Sequence, residues 1–260
     1  MQIHLALALW GGHLVSEFLL KNGRAPRGRD LGPQIRHSII VAALAYAFTG
    51  VVQAWPIPVG ILLAHIVLDS LYSRNETPGW KAWLLLHLVH GLVITALSLL
   101  VARGLEDSLL SGRVPLSRAY DQVLAVLDGL LLTVFVGAEI VGRAVVPFQR
   151  EMDEEQKALA LTSQSSRPQQ PRKGFEQGGL VIGMLERGII FLLVLVESPT
   201  AIGFLIAAKS LLRFGDIGTG ASRKEIEYIL IGTLMSFLFA LTTSYTTLLI
   251  LRALPTVAGP

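Results

Sequence analysis

Apolar runs close to the length needed to cross a bilayer recur from one end of the chain to the other, and this confines what it can fold into. A helix spans the roughly 30 Å hydrocarbon core with about 20 mostly apolar residues. Eight segments approach that length: 3–20, 37–54, 57–73, 82–102, 122–146, 179–197, 199–214 and 227–251. Of the 260 residues 52% are hydrophobic and only 16% charged, against roughly a quarter charged in a soluble domain. The expected class is therefore all-α, a polytopic membrane helix bundle with about eight transmembrane segments. The seventh is the weakest, because it is short, begins after Pro199 and carries Lys209, so a tilted, re-entrant or hairpin arrangement is open to it. The first run starts at Ile3 with no basic stretch before it and no small-residue cleavage site after it, and is read as a retained helix.

Polarity divides the chain further. Residues 1–102 form a four-helix membrane unit, 103–146 an outside loop and the fifth helix, 147–178 a cytoplasmic, partly disordered linker, and 179–260 a three-segment membrane unit. The linker assignment rests on Glu151, Asp153, Glu154 and Glu155 followed by the low-complexity run Thr162 to Pro171. Basic residues are retained on the cytoplasmic side. Lys21, Arg24, Arg27, Arg29 and Arg36 after the first helix, Arg74 and Lys81 after the third, and Lys157, Arg172 and Lys173 in the linker place those connections inside. Both termini are then expected outside a bacterial inner membrane. The net charge of +3 is accounted for by these loops, and no nucleic-acid partner is expected.

The ionisable residues inside the apolar runs carry the chemistry. All six histidines fall at or before His90, and there is no cysteine, which excludes thiolate metal sites, iron–sulfur clusters and thiol nucleophiles. His13 and Glu17 are four apart, His65 and Asp69 repeat that spacing, and His87 and His90 are three apart, so each pair shares one helix face. With the orientation above, all lie on the order of 10 Å from the cytoplasmic face, with His37 capping the start of the second helix nearby. Imidazole and carboxylate together suit zinc, manganese or iron. His13, Glu17, His65, Asp69 and His90 are the candidate ligands of a divalent metal, with zinc or manganese favoured. Glu17, Asp69 and His87 are the candidate catalytic groups. The competing account is that each histidine simply hydrogen-bonds a neighbouring helix; several ionisable groups at one depth, each costing roughly 2.5–3.5 kcal/mol to insert, call for a common explanation.

Gly12-His13-Leu14-Val15-Ser16-Glu17-Phe18-Leu19-Leu20-Lys21, then Arg36-His37-Ser38, then His65-Ile66-Val67-Leu68-Asp69-Ser70-Leu71 and finally His90 resemble the bacterial inner-membrane family catalogued as domain of unknown function 3307. The resemblance covers roughly residues 1–100 and implies a four-helix membrane unit with no established activity. The family's first motif carries Asp where this chain has Glu17, which keeps the carboxylate. The Asp-Gln step of its last motif is replaced here by Leu86-His87.

The second half holds polar residues of another kind. Glu186 and Arg187 lie inside the sixth segment, Lys209 and Arg213 in the seventh, and Glu227 opens the eighth. Lys209 and Arg213 could snorkel to headgroups while Glu227 offsets helix-terminal charge. Alternatively Glu186 pairs with one of the cations, and Arg187, Lys209 or Arg213 receives an anionic ligand such as a lipid phosphate. In either case Glu186 and Glu227 are expected in structural ion pairs. Gly215-Asp216-Ile217-Gly218-Thr219-Gly220 lacks the preceding strand and the Lys-Ser or Lys-Thr ending of a phosphate loop. Three function classes follow. The first is a metal-dependent hydrolase acting on a lipid-linked or membrane-proximal substrate. The second is an ion or proton transporter using the same residues, and the third a scaffold that docks a membrane or cytoplasmic protein through 147–178.

Overall fold

The computed structural model describes residues 2–20, 31–73, 79–109, 118–162, 175, 177–217 and 222–254, and among them the secondary structure is entirely helical. Nine α-helices follow in order among these residues: α1 Gln2–Leu14, α2 Leu31–Thr49, α3 Pro56–Ser73, α4 Trp80–Leu109, α5 Arg118–Leu131, α6 Gly137–Thr162, α7 Gly178–Leu195, α8 Pro199–Ile217 and α9 Arg223–Ala253. Two π turns interrupt the regular winding, Val15–Leu19 after α1 and Leu132–Val136 between α5 and α6.

Among the described residues five helical stretches are long and apolar enough to cross a membrane: Val52–Tyr72, Trp80–Arg103, Arg118–Glu155, Gly178–Leu195 and Arg223–Ala253; Pro199–Leu211 is a shorter apolar helix. The first two expected segments are not among the five. α1 has 13 residues before the π turn, and α2 carries Gln34, Arg36 and His37 in its early turns. α2 also begins at Leu31, so His37 sits well inside the helix instead of capping it. Pro33 in the first turn accounts for the earlier start, since the N–H it lacks has no intrahelical partner there.

Residues 147–162, expected as linker, continue α6 through Pro147. That polar extension carries exposed ion pairs: Lys224 Nζ lies 2.9 Å from Glu151 and 2.8 Å from Glu155, two carboxylates four apart on one helix face. Most of the expected low-complexity stretch lies outside the described residues, as do the basic loop at 21–30 and Arg74.

The chain forms two compact units, Met1–Leu131 with Leu249–Pro260, and Leu132–Leu248.

In the first unit α1 is the central helix, packed against α2, α4 and α5, while α3 closes against α2 and α4. Nine of its residues are buried, from His4 to Leu14. Leu5 and Leu9 meet Val41, Ala45, Ile57, Ile61 and Ile94 in one apolar core, and Leu7 and Ala8 meet Leu124, Ala125 and Leu254 in another. Gly12 lets two backbones touch: a Cβ there would stand 2.4 Å from Ala45 Cα, which only glycine permits. The outer faces are apolar. Leu63, Val67 and Leu71 of α3 and Leu85, Leu88 and Leu92 of α4 are exposed, while His65 and His90 on the same helices are buried. Apolar outside and ionisable inside is the pattern of a bundle solvated by lipid.

The second unit has its core at Ile190, Val194, Ile202, Phe237 and Ala240. α9 opens with a capping box, in which Ser222 Oγ accepts from Glu225 N–H at 3.2 Å and Glu225 accepts from Ser222 N–H at 2.7 Å.

Candidate functional site

Four elements of the first unit bring five imidazoles and two carboxylates together. α1 and its π turn supply His13 and Glu17, α2 supplies His37, α3 supplies His65 and Asp69, and α4 supplies His87 and His90. Ring centroids are 4.3 Å apart for His65 and His90, 5.2 Å for His13 and His65, and 5.7 Å for His13 and His90. His37 stands 6.1 Å from His65, and His87 6.4 Å from His90. The helix-face pairs of the sequence thus converge on one another.

Tertiary hydrogen bonds fix the supporting helices. Gln34 of α2 donates to Ile66 O at 3.0 Å and to Ser70 Oγ at 2.8 Å on α3, on either side of Asp69. Trp10 of α1 donates to Thr95 Oγ1 of α4 at 3.3 Å. The π turn, closed by Leu20 N–H on Val15 O at 3.1 Å, takes Glu17 out of the simple i, i+4 relation to His13 that an α-helix would give.

Six of the seven groups fall into two sets, each of two imidazoles and one carboxylate, and His13 stands against His65 and His90 of the first. In the first, Asp69 faces His65 Nδ1 at 3.8 Å and His90 Nε2 at 3.7 Å. In the second, Glu17 accepts a hydrogen bond from His37 Nε2 at 2.7 Å and stands 3.5 Å from His87 Nε2. The difference in length matters. At 3.7–3.8 Å the Asp69 contacts are too long for hydrogen bonds, and they are near the roughly 3.3 Å edge between ligand atoms of a tetrahedral site with bonds of about 2.0–2.1 Å.

His87 and His90 are oriented alike. Each donates Nδ1–H to the carbonyl one turn earlier, Trp83 O at 2.8 Å and Leu86 O at 2.9 Å. That donation leaves the Nε2 lone pair facing the carboxylates, the tautomer a metal ligand needs. His13 Nδ1, both nitrogens of His65 and His90 Nε2 are buried with no hydrogen-bond partner. Asp69 is the most open member, its side chain 22% exposed. Ligand atoms of His37, His65 and Asp69 lie within 4.8 Å of one another.

His37 was expected only near the site, as a cap, yet it contacts Glu17 directly; its position in the second turn of α2 was hidden by the later helix start expected from hydropathy. The sixth histidine is occupied elsewhere. His4 Nδ1 meets Asp121 at 2.6 Å and its Nε2 meets Thr49 O at 2.8 Å. Asp128 was not anticipated at all. It is buried on α5 with both carboxyl oxygens unpartnered, and Oδ1 would be 2.8 Å from a Cβ at Gly11. A lone Asp within the apolar run 122–146 was the available signal.

In the second unit the expected interior pair forms, between Lys209 and Glu186. Lys209 is therefore committed to a carboxylate rather than held ready for an anion. Glu227 pairs with Arg223 at 2.9 Å on the exposed start of α9, and the side chain of Arg213 lies outside the described residues. Arg187 is buried; it donates to Ser236 Oγ at 3.1 Å and to Val134 O at 3.2 Å. No family model, curated protein or solved structure matches the chain.

Proposed function

We propose that this is an integral membrane protein that binds a divalent transition metal through His65, Asp69 and His90, assisted by His13, and uses it in hydrolysis of a lipid-linked or membrane-proximal substrate. The observation that carries the metal reading is the set of buried, unpartnered imidazole nitrogens arranged around Asp69 at 3.7–3.8 Å. Buried polar atoms are ordinarily hydrogen-bonded, and a cluster of them with a carboxylate at coordination-edge spacing is explained economically by an ion. Imidazole and carboxylate favour zinc, manganese or iron over calcium or magnesium.

A metal bound by these residues would supply Lewis acidity toward a substrate oxygen or water. The protein's own residues do the remaining work. Glu17, anchored by His37, is the proton acceptor, and His87, with its Nδ1–H fixed on Trp83 O, presents Nε2 as the group to which Glu17 passes a proton. The partial exposure of Asp69 gives the route of entry. On this reading the eight apolar segments are all membrane-embedded, with the cluster toward the cytoplasmic face. Residues 1–100 are assigned to the family they resemble.

Elemental analysis of the purified full chain tests the first step. About one zinc or manganese per chain is expected, with loss in Asp69→Ala and His65→Ala. Wild-type protein that takes up no metal when titrated with zinc and manganese overturns the reading. Hydrolysis of the hydrolase's substrate class is tested separately, by release of a chromogenic leaving group from amphiphilic ester and phosphoester probes in mixed micelles. Metal uptake without hydrolysis of any such probe would leave a metal-binding protein and overturn the enzyme assignment.

A further inference from the structure

The second unit holds a cavity of about 520 Å³ between α6, α7 and α9. Its charged lining residues are Arg187, Glu186 and Lys209. Glu186 and Lys209 neutralise each other in their ion pair, so one positive charge remains, on Arg187.

That guanidinium is buried, 2% exposed. Among the described residues it has no carboxylate in an ion pair. Its two hydrogen-bond partners among the described residues, Ser236 Oγ and Val134 O, are neutral, and its Nε has none there. A buried charge satisfied only by neutral acceptors is costly, and guanidinium is the side chain best shaped for bidentate phosphate binding.

The surroundings are built for the group. The π turn Leu132–Val136 contains the Val134 carbonyl that takes one N–H. Gly137 leaves room for the side-chain stem, since a Cβ there would lie 3.0 Å from Arg187 Cδ. Gly183 lets the head lie close to the α7 backbone, a Cβ there being 3.3 Å from Nη1. Ser236 accepts from Arg187 and so retains its own O–H to donate. Leu180 and Ile182, both exposed, also line the cavity. An acyl chain could lie against them while a headgroup reaches inward.

We propose that Arg187 and Ser236 bind the phosphate of an anionic ligand in this cavity, with a membrane phospholipid as the expected source. The site is separate from the histidine cluster and does not depend on the metal reading.

The test uses the full chain in phosphatidylcholine micelles doped with phosphatidic acid, counting bound lipid by native mass spectrometry, with inorganic phosphate as competitor. Wild type is expected to retain phosphatidic acid over phosphatidylcholine. Arg187→Gln should lower that retention about tenfold, the effect of losing one charge-assisted contact. Gly183→Leu, which keeps the arginine and fills the space above it, should lower it as well and guards against a fold defect in the first variant. Displacement of the lipid only at large excess of inorganic phosphate supports the lipid source; phosphate binding by wild type that both variants lose, without lipid retention, supports the site with a free anion as its ligand. Equal retention of both probes by wild type, Arg187→Gln and Gly183→Leu overturns the proposal.

Discussion

His65→Leu separates the stability of the metal-free fold from that of the metal-bound one, because the two are expected to move in opposite directions. In the folded chain both His65 nitrogens are buried without a hydrogen-bond partner. Each such atom carries a desolvation penalty of about 1–3 kcal/mol, so an apolar side chain of similar size should stabilise the chelator-treated protein by about 2 kcal/mol. With metal the order reverses. An ion at a hundredfold excess over its Kd adds about 2.7 kcal/mol to a protein that binds it only when folded. At roughly 2–4 °C per kcal/mol for a chain near this size, the wild type should gain roughly 5–10 °C on adding zinc or manganese. His65→Leu should gain nothing. The assay is thermal unfolding in detergent or nanodiscs, with chelator or metal, for both proteins. A variant that is less stable than wild type in chelator, together with a wild type whose melting ignores metal, would refute the reasoning. It would mean that the His65 nitrogens are satisfied in the metal-free fold.

Further expectations follow from the same geometry. Asp69→Asn should weaken metal binding more than a hundredfold, whereas Glu17→Gln, changing a group held by His37, should weaken it only about 10–100-fold, as outer-shell changes do; competition with a chelating dye measures both, and equal effects would erase the distinction between the two sets. Gly12→Ala should destabilise by about 1–3 kcal/mol or more through overpacking against the α2 backbone, while Gly203→Ala, whose Cβ meets nothing within 4 Å, should be neutral or stabilising by about 0.5–1 kcal/mol; thermal melting of the two variants compares them directly. Asp128→Asn keeps shape while removing an ionisable group that has no partner, so its melting temperature should equal or exceed that of wild type; a loss above about 1 kcal/mol would show that the carboxyl is engaged.

What could be read from the residues was what depends on periodicity. Spacings of three and four put His65 beside Asp69 and His87 beside His90 whatever the neighbours are, and apolar run lengths announced helices long enough to cross a bilayer. What depends on tertiary contact could not be read. The polar stretch after Pro147 looked like linker because its own composition offers no apolar face; it stays helical, and Lys224, far away in sequence, pairs with Glu151 and Glu155 on it. His37 was displaced from a cap to a direct partner of Glu17 because helix starts are set by one or two local residues, here Pro33. Lys209 looked available to a ligand because sequence cannot say which of Lys209 and Arg213 faces Glu186.

The π turns show why the ionisable residues could be placed in a helix bundle at all. One extra residue in a helical turn changes which side chains and which carbonyls face inward, and it does so without breaking the backbone pairing that lipid demands. In the first unit the turn Val15–Leu19 contains Glu17 and accompanies its contact with two imidazoles from α2 and α4. In the second, the turn Leu132–Val136 presents the Val134 carbonyl to Arg187. A regular helix in either place would return Glu17 to the α register of His13, or withdraw the oxygen that Arg187 uses. Deleting Val136 is the sharpest form of this argument, since it removes the extra residue while leaving Arg187 and Ser236 in place. The shortened chain should lose phosphatidic acid retention yet keep its zinc- or manganese-dependent melting shift; loss of both, or of neither, would show that the π turn does not set the Arg187 site.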